Sequence, residues 1–194
     1  MVYVVDDDAS IRDSLALMLG LAGYATRLFA DAESFLVAFE PRWAGCVVAD
    51  LRLPGLSGVE LQSRVRERGS AIPFVIITAH GDVPAARTAF LGQAVDFIEK
   101  PFDDGQLRRA IETAFALETE RLGSAELRRA DAAKLERLTA REREVLEHAV
   151  NGLHAKEIAS RLGISSRTVE VHKMRIMEKL EVRNIAELVR LRFR

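Results

Sequence analysis

Residues 1 to 117 switch repeatedly between short β-rich runs and longer segments of helical period, and no other feature of the chain constrains its fold as tightly. Strands that alternate with helices form a parallel sheet whose crossover helices cover its faces. Strands are placed at "VYVV", "YATRLF", "GCVVAD", "PFVIIT" and "VDFI", with helices near residues 9 to 21, 31 to 40, 57 to 68, 82 to 91 and 103 to 120. Local start signals support several of these helices. Ser57 and Glu60 fit a capping box, Asp82 can cap before Pro84, and Asp103 with Asp104 suit the positive end of the last helix. The segment is therefore expected to be a doubly wound α/β domain with a five-stranded parallel sheet.

The pattern changes after residue 117. Residues 118 to 134 mix Ala, Glu, Leu and Arg with one Gly, which predicts a largely helical linker. Residues 135 to 194 form an all-α domain of four helices in this reading. "LTAREREVLEHAVNG" opens with a capping box from Thr139 to Glu142 and can stop at Asn151 and Gly152. A short helix, a turn at Gly163 and a longer helix capped by Ser165 or Ser166 follow, which is the helix-turn-helix pattern. A last helix is placed near residues 184 to 192.

Charge divides the chain at the same places. Residues 1 to 117 carry 11 Lys/Arg against 16 Asp/Glu, the linker 4 against 4, and residues 135 to 194 carry 13 against 9. An acidic module thus precedes a basic one suited to a polyanion. The longest apolar runs are too short to span a bilayer, and the N-terminus lacks the pattern of a signal peptide, so a cytoplasmic protein with no membrane partner is expected. The single cysteine, Cys46, sits in an apolar run and reads as a small core residue, which argues against redox chemistry.

Ligands of open parallel sheets bind beyond the carboxyl ends of the strands. Here those ends carry Asp6 and Asp7, then Asp50, then Thr78, then Lys100 before Pro101. Several carboxylates in one pocket repel one another unless a cation binds, and an oxygen-only ligand set suits Mg²⁺. Asp8, directly before the first helix, reads as its cap instead.

"VVDDD", "VVADLRLPGLSG", "VIITAHGD" and "FIEKPF" stand in the order and spacing of the receiver domain of two-component response regulators, which residues 1 to about 117 resemble. The resemblance implies a flavodoxin-like strand order 2-1-3-4-5. It implies Asp50 as phospho-acceptor, with Asp6, Asp7, Asp50 and the Arg52 backbone carbonyl as Mg²⁺ ligands. Thr78 and Lys100 would receive the phosphoryl oxygens, Ala79 would leave that group room, and Phe97 would be the aromatic switch. Arg52 and His80 would flank the acyl phosphate and influence its lifetime, although His80 reads equally well as an exposed loop histidine. One position departs from the pattern: the family usually has Gly where Gln93 stands, and here Gly92 comes one residue early.

"LTAREREVL", "KEIASRLGIS" and "RTVEVHKMRIMEKL" resemble the LuxR-type DNA-binding domain, so the whole chain is similar to NarL-family regulators of the FixJ-like branch. The helical wheel places Val169, Ile176 and Leu180 on a buried stripe, with Arg167, Val171, Met174 and Glu178 opposite. Glu170, Val171 and Met174 are therefore candidates to read base edges in the major groove of double-stranded DNA, with Arg167, Thr168, Lys173 and Arg175 nearer phosphates. Lys156 is a further phosphate contact, and His172 reads as a packed histidine. The expected function is phosphorylation-dependent transcription regulation, without turnover of an external substrate. A cognate sensor histidine kinase, RNA polymerase and a second copy of the chain are the expected partners. Two rivals remain: a haloacid-dehalogenase-like phosphatase, because "DDDAS" also reads as D-x-D-x-S, and a phosphate-independent DNA-binding regulator.

Overall fold

The structure is a computed structural model that describes residues 1–79 and 83–193. It divides into two compact units, Met1–Arg121 and Leu122–Arg194. In the first, β1 (Val2–Val5), β2 (Thr26–Phe29), β3 (Cys46–Asp50), β4 (Phe74–Thr78) and β5 (Asp96–Glu99) form a parallel sheet in the order β2-β1-β3-β4-β5. The helices α1 (Ala9–Leu21), α2 (Ala32–Ala38), α3 (Gly58–Glu67), α4 (Val83–Leu91) and α5 (Asp104–Glu136) connect and follow the strands.

Strand periodicity sorts the core into two layers. Tyr3, Val5, Val47, Ala49, Phe74 and Ile76 face one side with Phe35 of α2, Leu61 of α3 and Ala89 of α4. Val2, Val4, Cys46, Val48, Val75 and Ile77 face the other with Leu15 and Leu19 of α1 and Leu107 and Ile111 of α5. β1, β3 and β4 are buried throughout, as strands sandwiched between helix layers must be.

Some sequence boundaries move. β2 begins at Thr26 rather than Tyr24, because β1 offers four partners and pairs them with Thr26 to Phe29. α2 stops at Ala38; Phe39 turns extended and buries its ring against Phe35 and Trp43, ahead of Pro41. The expected fifth helix and the whole expected linker, residues 118–134, are one element running past Arg121, since Gly123 alone does not outweigh the strong helix formers around it. Capping follows the sequence closely. Asp8 accepts from the Ser10 amide, the Ser57–Glu60 and Thr139–Glu142 boxes both close, and Asp103 accepts from the Gln106 amide. Asp82, the expected cap of α4, lies outside the described residues.

The second unit contains α6 (Ala140–Val150), α7 (Ala155–Leu162), α8 (Ser166–Leu180) and α9 (Ile185–Phe193) around a core of Val145, Leu146, Ile158, Val169, Ile176, Leu180 and Leu188. Gly152 and Gly163 supply the left-handed turns after α6 and α7, and Ser165 rather than Ser166 caps α8. Among the described residues no helix is long and apolar enough to cross a membrane.

Candidate functional site

The strand order puts β1 beside β3, β3 beside β4 and β4 beside β5, so the polar groups at their carboxyl ends share one edge of the sheet. Asp6 and Asp50 are almost fully buried there, 1% and 7% exposed. Each is held the same way. One carboxylate oxygen accepts from a backbone amide two residues on, Asp8 for Asp6 at 2.9 Å and Arg52 for Asp50 at 2.7 Å. The other oxygen accepts from Lys100 Nζ, at 2.8 Å for Asp6 and 2.5 Å for Asp50. Burial alone would ease the proton off Lys100, but the hydrogen bonds and charges of Asp50 and Asp6 outweigh it and hold the ammonium above its ordinary pKa.

Two buried carboxylates face one ammonium, which leaves a surplus negative charge within the pocket. That surplus and the oxygen-only donor set fit a hard divalent cation. The acids do not close a cage by themselves: among the described residues no three acidic, histidine or cysteine side chains converge as metal ligands, and Asp7 is exposed. Thr78 is fully buried at the end of β4, Ala79 beyond it is exposed, and the Lys100 amide bonds the Thr78 carbonyl at 2.6 Å. Phe97 is half-buried against the core layer of α2 and α3, the Arg52 side chain is exposed, and His80 lies outside the described residues.

The second unit presents a different surface. Val169, Ile176 and Leu180 are buried on one stripe of α8, while Arg167, Glu170 and Arg175 are exposed. Met174 is 61% exposed, and a large apolar side chain displayed among charges is suited to contact a partner. Val171 and Thr168 are half-buried, with the Thr168 hydroxyl engaged by Ser165. Lys173, expected nearer phosphates, has a side chain 18% exposed, and its ammonium sits 3.5 Å from Glu170. Lys156 is exposed in the first turn of α7, and His172 is half-buried with Nδ1 shut off from solvent.

Residues 2–112 match the family model described as the response regulator receiver domain, and residues 136–192 match that of bacterial regulatory proteins of the luxR family. The chain belongs to the response regulators. The regulator is 44% identical over 193 residues to the transcriptional regulatory protein FixJ of Bradyrhizobium diazoefficiens, covering 100% of this chain and 94% of that protein. It is similar to the solved response regulator StyR, with a TM-score of 0.83 at 43% identity over 98% of this chain and 96% of that one. Full-length FixJ from B. japonicum has a TM-score of 0.61 at 44% identity, over 99% and 95%.

Two residues of the regulator's pocket escaped the sequence reading. Arg12, one turn into α1, donates Nη1 to the Asp6 carbonyl at 2.6 Å and so ties the acid-bearing loop to the helix. A basic residue following an acidic loop at helical spacing was the available signal. Gly58 opens α3 with its amide on the Leu51 carbonyl at 3.0 Å, and a Cβ there would overlap the Asp50 carbonyl oxygen. Its place in "LSGVEL" gave the helix start but not that close approach.

Proposed function

We propose that the regulator accepts a phosphoryl group on Asp50 from a sensor histidine kinase and responds by binding promoter DNA through α8. The observation that carries this reading is the Lys100 ammonium bridging Asp50 and Asp6 at the sheet edge. An Asp50 oxygen attacks phosphorus, the bond to the donor breaks, and the leaving group departs with its electron pair. Lys100, already charged and in place, offsets the negative charge of that transition state. Asp6, Asp7, Asp50 and the Arg52 carbonyl would hold Mg²⁺, which supplies further positive charge toward the phosphoryl oxygens. Thr78 binds a phosphoryl oxygen, Ala79 leaves room, Phe97 turns inward as the switch, and Arg52 and His80 flank the product. The regulator promotes only its own phosphorylation and dephosphorylation and turns over no external substrate.

Residues 1–117 serve as receiver, 118–134 as linker and 135–194 as DNA-binding domain in this reading, with the protein working in the cytoplasm. Glu170, Val171 and Met174 read bases, while Arg167, Thr168, Arg175, Lys173 and Lys156 meet phosphates. Phosphorylation joins two receivers through α4 and β5, and the dimer meets RNA polymerase at the promoter. The phosphatase reading is disfavoured because Asp8 and Ser10, the later members of D-x-D-x-S, are hydrogen-bonded to each other at the α1 cap.

Incubation with acetyl phosphate and Mg²⁺ tests the first step. Intact-mass measurement should show one added phosphoryl group in the native protein and none in Asp50→Asn. Equal labelling of both proteins overturns the assignment of Asp50.

A further inference from the structure

Helix α4 ends in a turn whose left-handed residue is Gln93, at φ +60°, while the neighbouring glycine, Gly92, does not adopt that conformation. Side chains of α3 contact both residues. A Cβ on Gly92 would collide with Gln62 Oε1, and the Gln62 side chain, 1% exposed, donates Nε2 to the Gly92 carbonyl at 2.8 Å. Arg66, one helical turn further along α3, donates Nη1 to Gln93 Oε1 at 2.9 Å and Nη2 to the Gln93 carbonyl at 3.4 Å. The turn closes with the Gln93 amide on Phe90 and the Ala94 amide on Ala89, each at 2.8 Å.

Close packing thus takes the glycine, and the left-handed position is left to a side chain that disfavours it. The α3 residues that hold this arrangement carry unmet bonds of their own. Gln62 Oε1 and Arg66 Nε are both buried without a hydrogen-bond partner. A backbone outlier and two orphaned polar atoms on facing elements mark a contact held under strain, the kind of contact that a small shift can release. At its other end α3 starts against Asp50, where Gly58 has no space for a Cβ.

We propose that Gln62 and Arg66 are positioning residues through which α3 fixes the C-terminal end of α4 at rest and passes to it a displacement arising at Asp50. The proposal rests on the reading of Asp50 as phospho-acceptor. It adds a connection separate from the Thr78 and Phe97 exchange, because α3 touches the acceptor's backbone rather than its phosphoryl oxygens.

Hydrogen exchange on the full-length protein, with and without beryllofluoride and Mg²⁺ as an acyl-phosphate mimic, tests it. Gln62→Met keeps the side chain's length and removes its polar atoms, and Arg66→Ala removes the grip on Gln93. At rest, each should speed exchange of the Gln93 and Ala94 amides roughly tenfold while leaving the sheet amides slow. Gln93→Gly placed in Arg66→Ala should restore slow exchange by removing the strain. In the native protein the mimic should alter exchange at residues 92 to 94. In Gln62→Met and Arg66→Ala that alteration should vanish while the response at Thr78 persists.

Native-like exchange in both single variants overturns the positioning role, as does a double variant as fast as Arg66→Ala. A mimic response at residues 92 to 94 that survives in both single variants overturns transmission through α3. If the native protein shows no response anywhere, including Thr78, the acceptor reading fails and transmission falls with it. The resting exchange rates still decide, on their own, whether Gln62 and Arg66 hold the turn.

Discussion

Lys100 holds apart two carboxylates that would otherwise face each other in a buried pocket. Removing it leaves like charges uncompensated, so Lys100→Ala should destabilise the first unit by about 3 kcal/mol in urea unfolding. Added Mg²⁺ should recover much of that loss, and an equal loss with and without Mg²⁺ would contradict a cation site. In the second unit, Glu142 is buried and accepts from Lys179 Nζ at 2.6 Å. Burial pushes its pKa up, but the Lys179 hydrogen bond and the Thr139 cap outweigh this and hold it below the ordinary glutamate range. A carboxyl depressed in the folded state contributes stability above its unfolded pKa and loses it as pH falls through the folded one. Acidification below the ordinary glutamate range should therefore weaken the second unit, and Glu142→Gln should flatten that dependence in thermal melts. Asp6, Asp50 and Lys100 were legible because strand ends announce themselves in sequence. Arg12 and Gly58 were not, because one acts through a backbone carbonyl and the other through the absence of a side chain.

Each element owes its limits to local chemistry where capping decides and to neighbours where it does not. Ser57→Ala and Thr139→Ala each open a closed capping box and should cost about 1 kcal/mol of stability by denaturant unfolding. The buried stripe of α8 was legible from period alone, and its exposed face yields a sharper expectation. Met174→Ala and Val171→Ala should alter sequence preference, whereas Arg167→Ala and Arg175→Ala should weaken all DNA alike and each lower the salt slope by about 1. Lys173→Ala should change that slope less, since its ammonium lies beside Glu170. Binding titrations on operator and random duplexes at several salt concentrations separate the cases. The end of α4 was the least legible boundary. Sequence flagged Gly92 as misplaced, yet Gln62, 30 positions away, is what gives that glycine its purpose.

At the scale of the whole molecule, an acidic α/β unit and a basic helical unit each bury a core of their own. Receiver pairing would place two DNA-binding units at high effective concentration. Sedimentation with and without beryllofluoride should show a monomer becoming a dimer; an unchanged mass with tighter DNA binding would contradict pairing as the mechanism. The aromatic residues are shared unequally. Trp43, the chain's single tryptophan, stacks on Tyr3 with ring centroids 4.5 Å apart beneath the Arg27 guanidinium, and the other tyrosine, Tyr24, stacks on Phe115. The second unit has neither tryptophan nor tyrosine. Tryptophan and tyrosine fluorescence, and the tryptophan and tyrosine bands of near-ultraviolet dichroism, therefore see the first unit alone, while far-ultraviolet dichroism sees the helices of both. The molecule carries a built-in optical label on its receiver side, and the difference between two melting curves from one cuvette isolates the stability of its silent half.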